Sequence, residues 1–266
     1  MAARLHGVFA AAMVVYLLLP LAIAVPLSLT SSEFMTFPPR GLSLRWYEEF
    51  FTDAQWTEPT LFSLALAAVA ATLATLLGSL AAWPLVRRRF AGRTSLAALL
   101  GSPIVVPAIS VAIGAFLVWA GLRLLGNPVS LVATHVVLTA PFVLLVVGAA
   151  LLEFDADHIG AARTLGANGP TIARRIVAPQ ILPSLIAAWL FAFITSLDEV
   201  VITSFLLTAG QVPTLAVFIF SQVHWSSSPA IAASSVVLVG IALLIGLVIA
   251  RLAPLSISGP GRGRPR

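Results

Sequence analysis

Two neighbouring carboxylates, Asp198 and Glu199, lie deep inside a long apolar run, and a histidine, His135, lies inside another. A carboxylate at mid-bilayer depth costs about 2.5–3.5 kcal/mol, so such residues face a cavity or a partner. Two uses fit an adjacent acidic pair in apolar surroundings. One is attraction of a cationic solute as it crosses. The other is structural: accepting hydrogen bonds from neighbouring helices or capping a broken helix. His135 admits either a proton relay with Asp198 or simple burial among hydrogen-bond partners. Much other chemistry is excluded. The chain has no Cys, which removes disulfides, zinc–thiolate sites and thiol nucleophiles. It has no Lys either, all fifteen basic residues being Arg. Neither a standard P-loop nor a Schiff base can therefore be built. No catalytic residue, metal site or cofactor is read in this chain.

The elements that must hold these residues follow from composition. Of 266 residues, 59% are apolar and 9% charged, with a mean hydropathy of +1.04. A soluble domain carries about 25% charged residues. The fold class is all-α, a polytopic membrane protein. Six apolar runs exceed the ~18 residues that mark a crossing helix: Val8–Leu29, Thr60–Val86, Thr94–Leu122, Val129–Leu152, Ser184–Leu207 and Ala230–Ala250. Pro103 and Pro107 predict a kink in the third. The first exceeds the roughly 7–15-residue core of a signal peptide and is expected to remain a helix. The expected organisation is a cytoplasmic head over 1–7, a six-span membrane domain over 8–250 and a Gly/Pro/Arg-rich tail over 251–266, disordered and near anionic lipid.

Orientation follows from arginine. With both termini cytoplasmic, twelve Arg fall inside and only Arg40, Arg45 and Arg123 outside, the bias expected of cytoplasmic loops. The pI near 11.2 is then a topology signal, with no nucleic acid implied. In the external segment, Leu44, Tyr47, Phe50 and Phe51 stand at helical spacing beside Trp46 and Trp56. They predict a helix lying on the membrane surface.

The one long cytoplasmic loop spans 153–183. Asp155 and Asp157 suit the positive end of a helix starting near His158 and stopping at Gly166. Asn168-Gly169-Pro170 breaks the chain, with Pro170 suited to the first position of a second helix. That helix would present Ile172 and Ile176 on one face and close on Arg174-Arg175. A short helix–turn–helix tied to two spans is either a lever for a soluble partner or a plain connection.

Within this loop, Gly160-Ala161-Ala162, three residues, Gly166, nine residues and then Ile176-x-Ala178-Pro179 resemble the "EAA" loop of ABC-importer permeases. The family pattern is Glu-Ala-Ala, three residues, Gly, nine residues, then Ile-x-Leu-Pro. The spacing is kept in full, while Gly160 replaces the Glu and Ala178 the Leu. Leu42-Ser43-Leu44-Arg45-Trp46-Tyr47 and Ser196-Leu197-Asp198-Glu199-Val200-Val201 are similar to the permeases of spermidine/putrescine importers, of the second, shorter type. Importers of ferric ion or sulfate share the loop.

The resemblance implies a type I ABC-importer permease of the bacterial inner membrane, forming half of a pathway with a second homologous permease. Two ATPase subunits would bind ATP and Mg, and an extracytoplasmic solute-binding protein would deliver solute. Gly160, Ala161, Ala162, Gly166, Ile176 and Pro179 would belong to the coupling loop that docks on the ATPase. Asp198 and Glu199 would line the path of a small cation. The rival is a proton-coupled secondary transporter using His135, Asp198 and Glu199, which would need an internal repeat or dimerisation.

Overall fold

The computed structural model describes residues 2–225 and 228–252, so the expected tail lies outside the described residues from 253 onward. The described residues contain helices and no strand. Four helices are long and apolar enough to cross a bilayer alone: α1 (Ala2–Ser28), α3 (Ala54–Arg87), α6 (Pro128–Glu153) and α13 (Pro229–Leu252). They cover predicted spans one, two, four and six.

Spans three and five are built from two pieces each. In the third, α4 (Arg93–Gly101) and a 3-10 turn (Ser102–Ile104) meet α5 (Ala108–Gly121) at 103°. This is a break rather than the kink expected. Pro107 holds the extended conformation that precedes α5, with φ −55° and ψ 136°. Its ring also disfavours helix at the residue before it. In the fifth, α10 (Leu182–Leu197) stops at Asp198 and α11 (Val201–Leu206) resumes after Val200. At about 1.5 Å per residue the sixteen residues of α10 reach about 24 Å, short of the ~30 Å core. α10 alone is therefore too short to cross.

The chain divides into two compact units. The first comprises residues 1–64 and 209–243. Its core is aromatic. Trp46 and Phe50, one turn apart on α2 (Arg45–Thr52), are buried with Trp56, Leu215 and Ala230. Phe218 of α12 (Leu215–Trp225) meets Trp56 edge to face at 4.9 Å. The Trp46 indole N–H donates to the Thr30 carbonyl at 2.8 Å, and the Ser63 hydroxyl accepts the Leu215 N–H at the start of α12. This corrects the surface-helix expectation for α2. Trp46, Phe50 and Trp56 face the protein, while Leu44 and Phe51 are the exposed pair. By contrast, no residue in the most apolar window of α1 is buried by the described residues.

The second unit comprises residues 65–208 and 244–266. Along α3, Ala67, Ala71, Ala74, Gly78 and Ala82 make a narrow stripe of small residues; its alanines are fully buried. A Cβ at Gly78 would stand 2.9 Å from the Val143 side chain of α6, so only glycine permits that approach. On α6 the buried row runs Leu131, His135, Thr139, Val143, Val147, Leu151 in steps of four, one helical face. α10 packs along α6 and α11 packs against α5.

Candidate functional site

The break in span five decides what its two carboxylates do. Glu199 folds forward over the first turn of α11. Its Oε1 accepts the Ile202 N–H at 2.7 Å, and its Oε2 accepts both the Thr203 N–H at 2.8 Å and the Thr203 hydroxyl at 2.7 Å. It satisfies helix N–H groups that would otherwise be stranded in an apolar setting, and its charge sits at the positive end of α11. The side chain is only 7% exposed. Glu199 is thus the cap of a broken helix.

His135 completes the arrangement. Its Nδ1 lies 2.7 Å from the Ser196 hydroxyl of α10 and its Nε2 lies 3.0 Å from the Thr203 hydroxyl of α11. Since Thr203 gives its proton to Glu199, Nε2 donates to Thr203 and Nδ1 accepts from Ser196. One directed chain then runs Ser196, His135, Thr203, Glu199, with every proton placed. Nε2 also stands 4.0 Å from Glu199 Oε2. The relay considered with Asp198 is not what forms: His135 bridges both halves of span five to α6, and its carboxylate neighbour is Glu199.

Asp198 is the contrasting member. It terminates α10, its own N–H bonding to the Ile194 carbonyl at 3.1 Å. Its side chain is exposed and makes no hydrogen bond or ion pair with any described residue. In an unbroken helix the two acids would point about 100° apart. The break replaces that geometry, assigning one acid inward and leaving the other open.

The segment 153–183 forms the two helices expected. α7 (Asp157–Thr164) ends in Gly166 at φ +81°. There the Gly166 N–H bonds to Arg163 O at 2.9 Å and the Ala167 N–H to Ala162 O at 3.0 Å. This is the paired closure of a Schellman motif, which favours glycine at that position. The glycine in the loop pattern therefore has a backbone reason. Asn168 caps the second helix, accepting the Thr171 N–H at 3.0 Å. Gly169 takes the first position and Pro170 the second, one residue later than expected.

The second helix runs as α8 (Gly169–Ile172), a π turn (Ala173–Val177) and α9 (Ala178–Gln180). It meets α10 at 76°. The wide turn shifts the buried face, so Ile172 is followed by Val177 rather than by Ile176, which is half-buried. Ile159 and Ala162 are buried with them, while Gly160, Ala161, Gly166 and Pro179 are exposed. At the tip stands Leu165, 88% exposed, a residue that no pattern in the sequence singled out. Its signal was position alone: an apolar side chain at the end of a short polar helix. Arg87, closing α3, donates from Nη2 to the carbonyls of Leu151 and Phe154 at 2.7 and 2.6 Å, fastening span two to the entry of this loop.

Comparison with known proteins places this geometry. Residues 74–255 match the family described as binding-protein-dependent transport system inner membrane component. The chain is 32% identical over 241 residues to the spermidine/putrescine transport system permease protein PotC of Escherichia coli, covering 91% of this chain and 90% of that one. It is 33% identical over 240 residues to the putrescine transport system permease protein PotI of the same species, covering 88% and 85%. A bacterial ABC transporter importing the acidic polysaccharide alginate shares the fold with a TM-score of 0.71 at 17% identity, over 94% of this chain and 97% of that one. An inward-facing methionine ABC transporter, MetNI, shares it with a TM-score of 0.57 at 21% identity, over 71% and 90%. The secondary-transporter reading is set aside: the chain belongs to the family of inner-membrane components of binding-protein-dependent transport systems, as a permease subunit of an ABC importer.

Proposed function

We propose that this permease carries a small aliphatic polyamine of the putrescine or spermidine class, and that Asp198 is the carboxylate the cation meets. The observation that carries this reading is the division of labour at the span-five break. Glu199 has its acceptors filled by the chain, whereas Asp198, one residue away, is exposed and unpaired. An open carboxylate at this depth is costly against lipid, and a passing ammonium group repays that cost. The likeness to two polyamine permeases points the same way. The fold alone does not choose the solute, since a relative in fold imports an acidic polysaccharide.

The cytoplasmic loop is the coupling element in this reading. Both termini lie in the cytoplasm, and the segment 153–183 docks on a separate ATPase that binds ATP and Mg. Gly160, Ala161 and Pro179 form its small exposed surface, and Leu165 is the apolar knob that enters the ATPase cleft. A second permease supplies the other half of the pathway, two ATPase subunits drive it, and an external binding protein delivers solute. Movement of the loop reaches the pathway through two joints, Arg87 at its entry and the sharp turn into α10 at its exit.

Uptake of labelled putrescine by the reconstituted complex tests the assignment. Asp198→Asn lowers uptake at least tenfold while leaving assembly and basal ATP hydrolysis intact. Unchanged uptake ends the role given to Asp198.

A further inference from the structure

A cavity of about 420 Å³ opens beside the loop, bounded by the last turns of α3, the end of α6, both loop helices and the start of α10. Its wall is apolar, with Trp83, Val147, Ile172 and Leu185 among the lining residues. Three polar groups interrupt it. The Ser79 hydroxyl is buried and has no partner. Arg88 and Arg163 are exposed and line the same cavity, and their guanidinium groups make no hydrogen bond or ion pair with any described residue.

Charge and depth together identify an occupant. Two unpartnered guanidiniums repel a cationic solute, so the cavity is unsuited to the cargo proposed above. They suit a phosphate, which arginine binds well. A free anion would leave the apolar wall uncovered. Along α3 the lining runs from Leu76 to Arg88, about 18 Å at 1.5 Å per residue. Half of a ~30 Å hydrocarbon core is about 15 Å, so the wall extends from headgroup level to near the bilayer centre. Basic pockets between spans on the cytoplasmic side are known to suit anionic headgroups.

We propose that this cavity holds one anionic phospholipid, its acyl chain against the apolar wall and its phosphate on Arg88 and Arg163. Such a lipid touches the end of span two and both helices of the coupling loop at once, so its occupancy sets the position of the loop. The choice of the cytoplasmic leaflet rests on the orientation proposed above; the site itself rests on the lining.

Native mass spectrometry of the intact purified complex, equilibrated with phosphatidylglycerol or phosphatidylcholine, tests this. The expected result is one phosphatidylglycerol retained per copy of this chain and at least tenfold weaker retention of phosphatidylcholine. Arg88→Gln weakens phosphatidylglycerol retention about tenfold. Ser79→Leu, which narrows the apolar wall and leaves the arginines alone, weakens it as well; the same spectra report whether each complex is assembled. Equal retention of the two lipids, or loss with Arg88→Gln but none with Ser79→Leu, overturns the proposal, the latter marking mere surface attraction. So does a photoreactive group at position 83 that crosslinks to the second permease rather than to lipid. Orientation is read separately. Because the chain has no Cys, a Gln180→Cys variant, at an exposed position outside the cavity lining, labelled by an impermeant thiol reagent from outside would reverse the leaflet without touching the lipid result.

Discussion

Replacing Glu199 should loosen the joint between α10 and α11, and the size of the effect follows from its bonds. Glu199→Ala removes three hydrogen bonds accepted at 2.7, 2.8 and 2.7 Å and strands two backbone N–H groups of α11. Bonds to a charged acceptor contribute about 1.5–3 kcal/mol each, which would sum to about 4.5–9 if they were independent. They share one carboxylate, however, and an ordinary helix cap contributes only about 0.5–2 kcal/mol. Leaving two backbone N–H groups and one hydroxyl without their acceptor costs about 1–3 kcal/mol each, and the low end of that sum, about 3–5 kcal/mol, is the value expected here because the hydroxyl can turn to another partner. At about 2–4 °C per kcal/mol for a chain near this size, the melting temperature falls by roughly 6–20 °C. Glu199→Gln keeps one acceptor oxygen and should lose about 1–3 kcal/mol. Asp198→Asn, exposed and unpaired, should stay within about 0.5 kcal/mol of the parent. Fluorescence-detected thermal melts of the complex in one detergent provide the comparison. Glu199→Ala melting together with the parent, or Asp198→Asn melting below Glu199→Ala, would refute the division of roles at the break.

Other consequences can be checked alongside. Leu165→Ala removes the exposed knob of the loop; burial of one leucine is worth about 1.5–3 kcal/mol, so ATPase affinity in a pull-down titration should fall about ten- to a hundredfold. Gly166→Ala forces a side chain into φ +81° and costs about 1–2 kcal/mol, seen as faster proteolysis at the loop with the spans intact. Gly78→Ala brings a methyl group to 2.9 Å from Val143, an overpacking worth about 1–3 kcal/mol. The double variant with Val143→Ala should recover part of the lost thermal stability, and no recovery would argue against this contact.

The sequence shows the crossing segments well because hydropathy is a one-dimensional property, and all six runs meet helices. The helices of segment 153–183 were legible for a similar reason: Asn168 and Gly166 act locally, one through its side chain and the other through its backbone. The break after Leu197 was harder to see. Ser196-Leu197-Asp198-Glu199-Val200 contains neither Gly nor Pro, and the side chain that bridges the two pieces, His135, lies sixty-four residues upstream of Glu199. A partial signal existed, since an acid just before an apolar stretch is a helix-start mark. The π turn displaced the buried face from Ile176 to Val177, a one-residue shift that periodicity at 3.6 cannot anticipate. Trp46 and Trp56 were misassigned to the membrane surface because an aromatic helix face reads alike whether lipid or protein covers it.

The central claim is ATP-driven import of a polyamine through a pathway that this chain half forms. Its most direct test is accumulation of labelled putrescine in proteoliposomes holding this permease with its partner permease, ATPase and binding protein. The expected result is accumulation that requires ATP on the loop side and binding protein on the other, and that excess spermidine suppresses. ATP-driven accumulation of sulfate or ferric ion by the same vesicles, with none of putrescine, would contradict it.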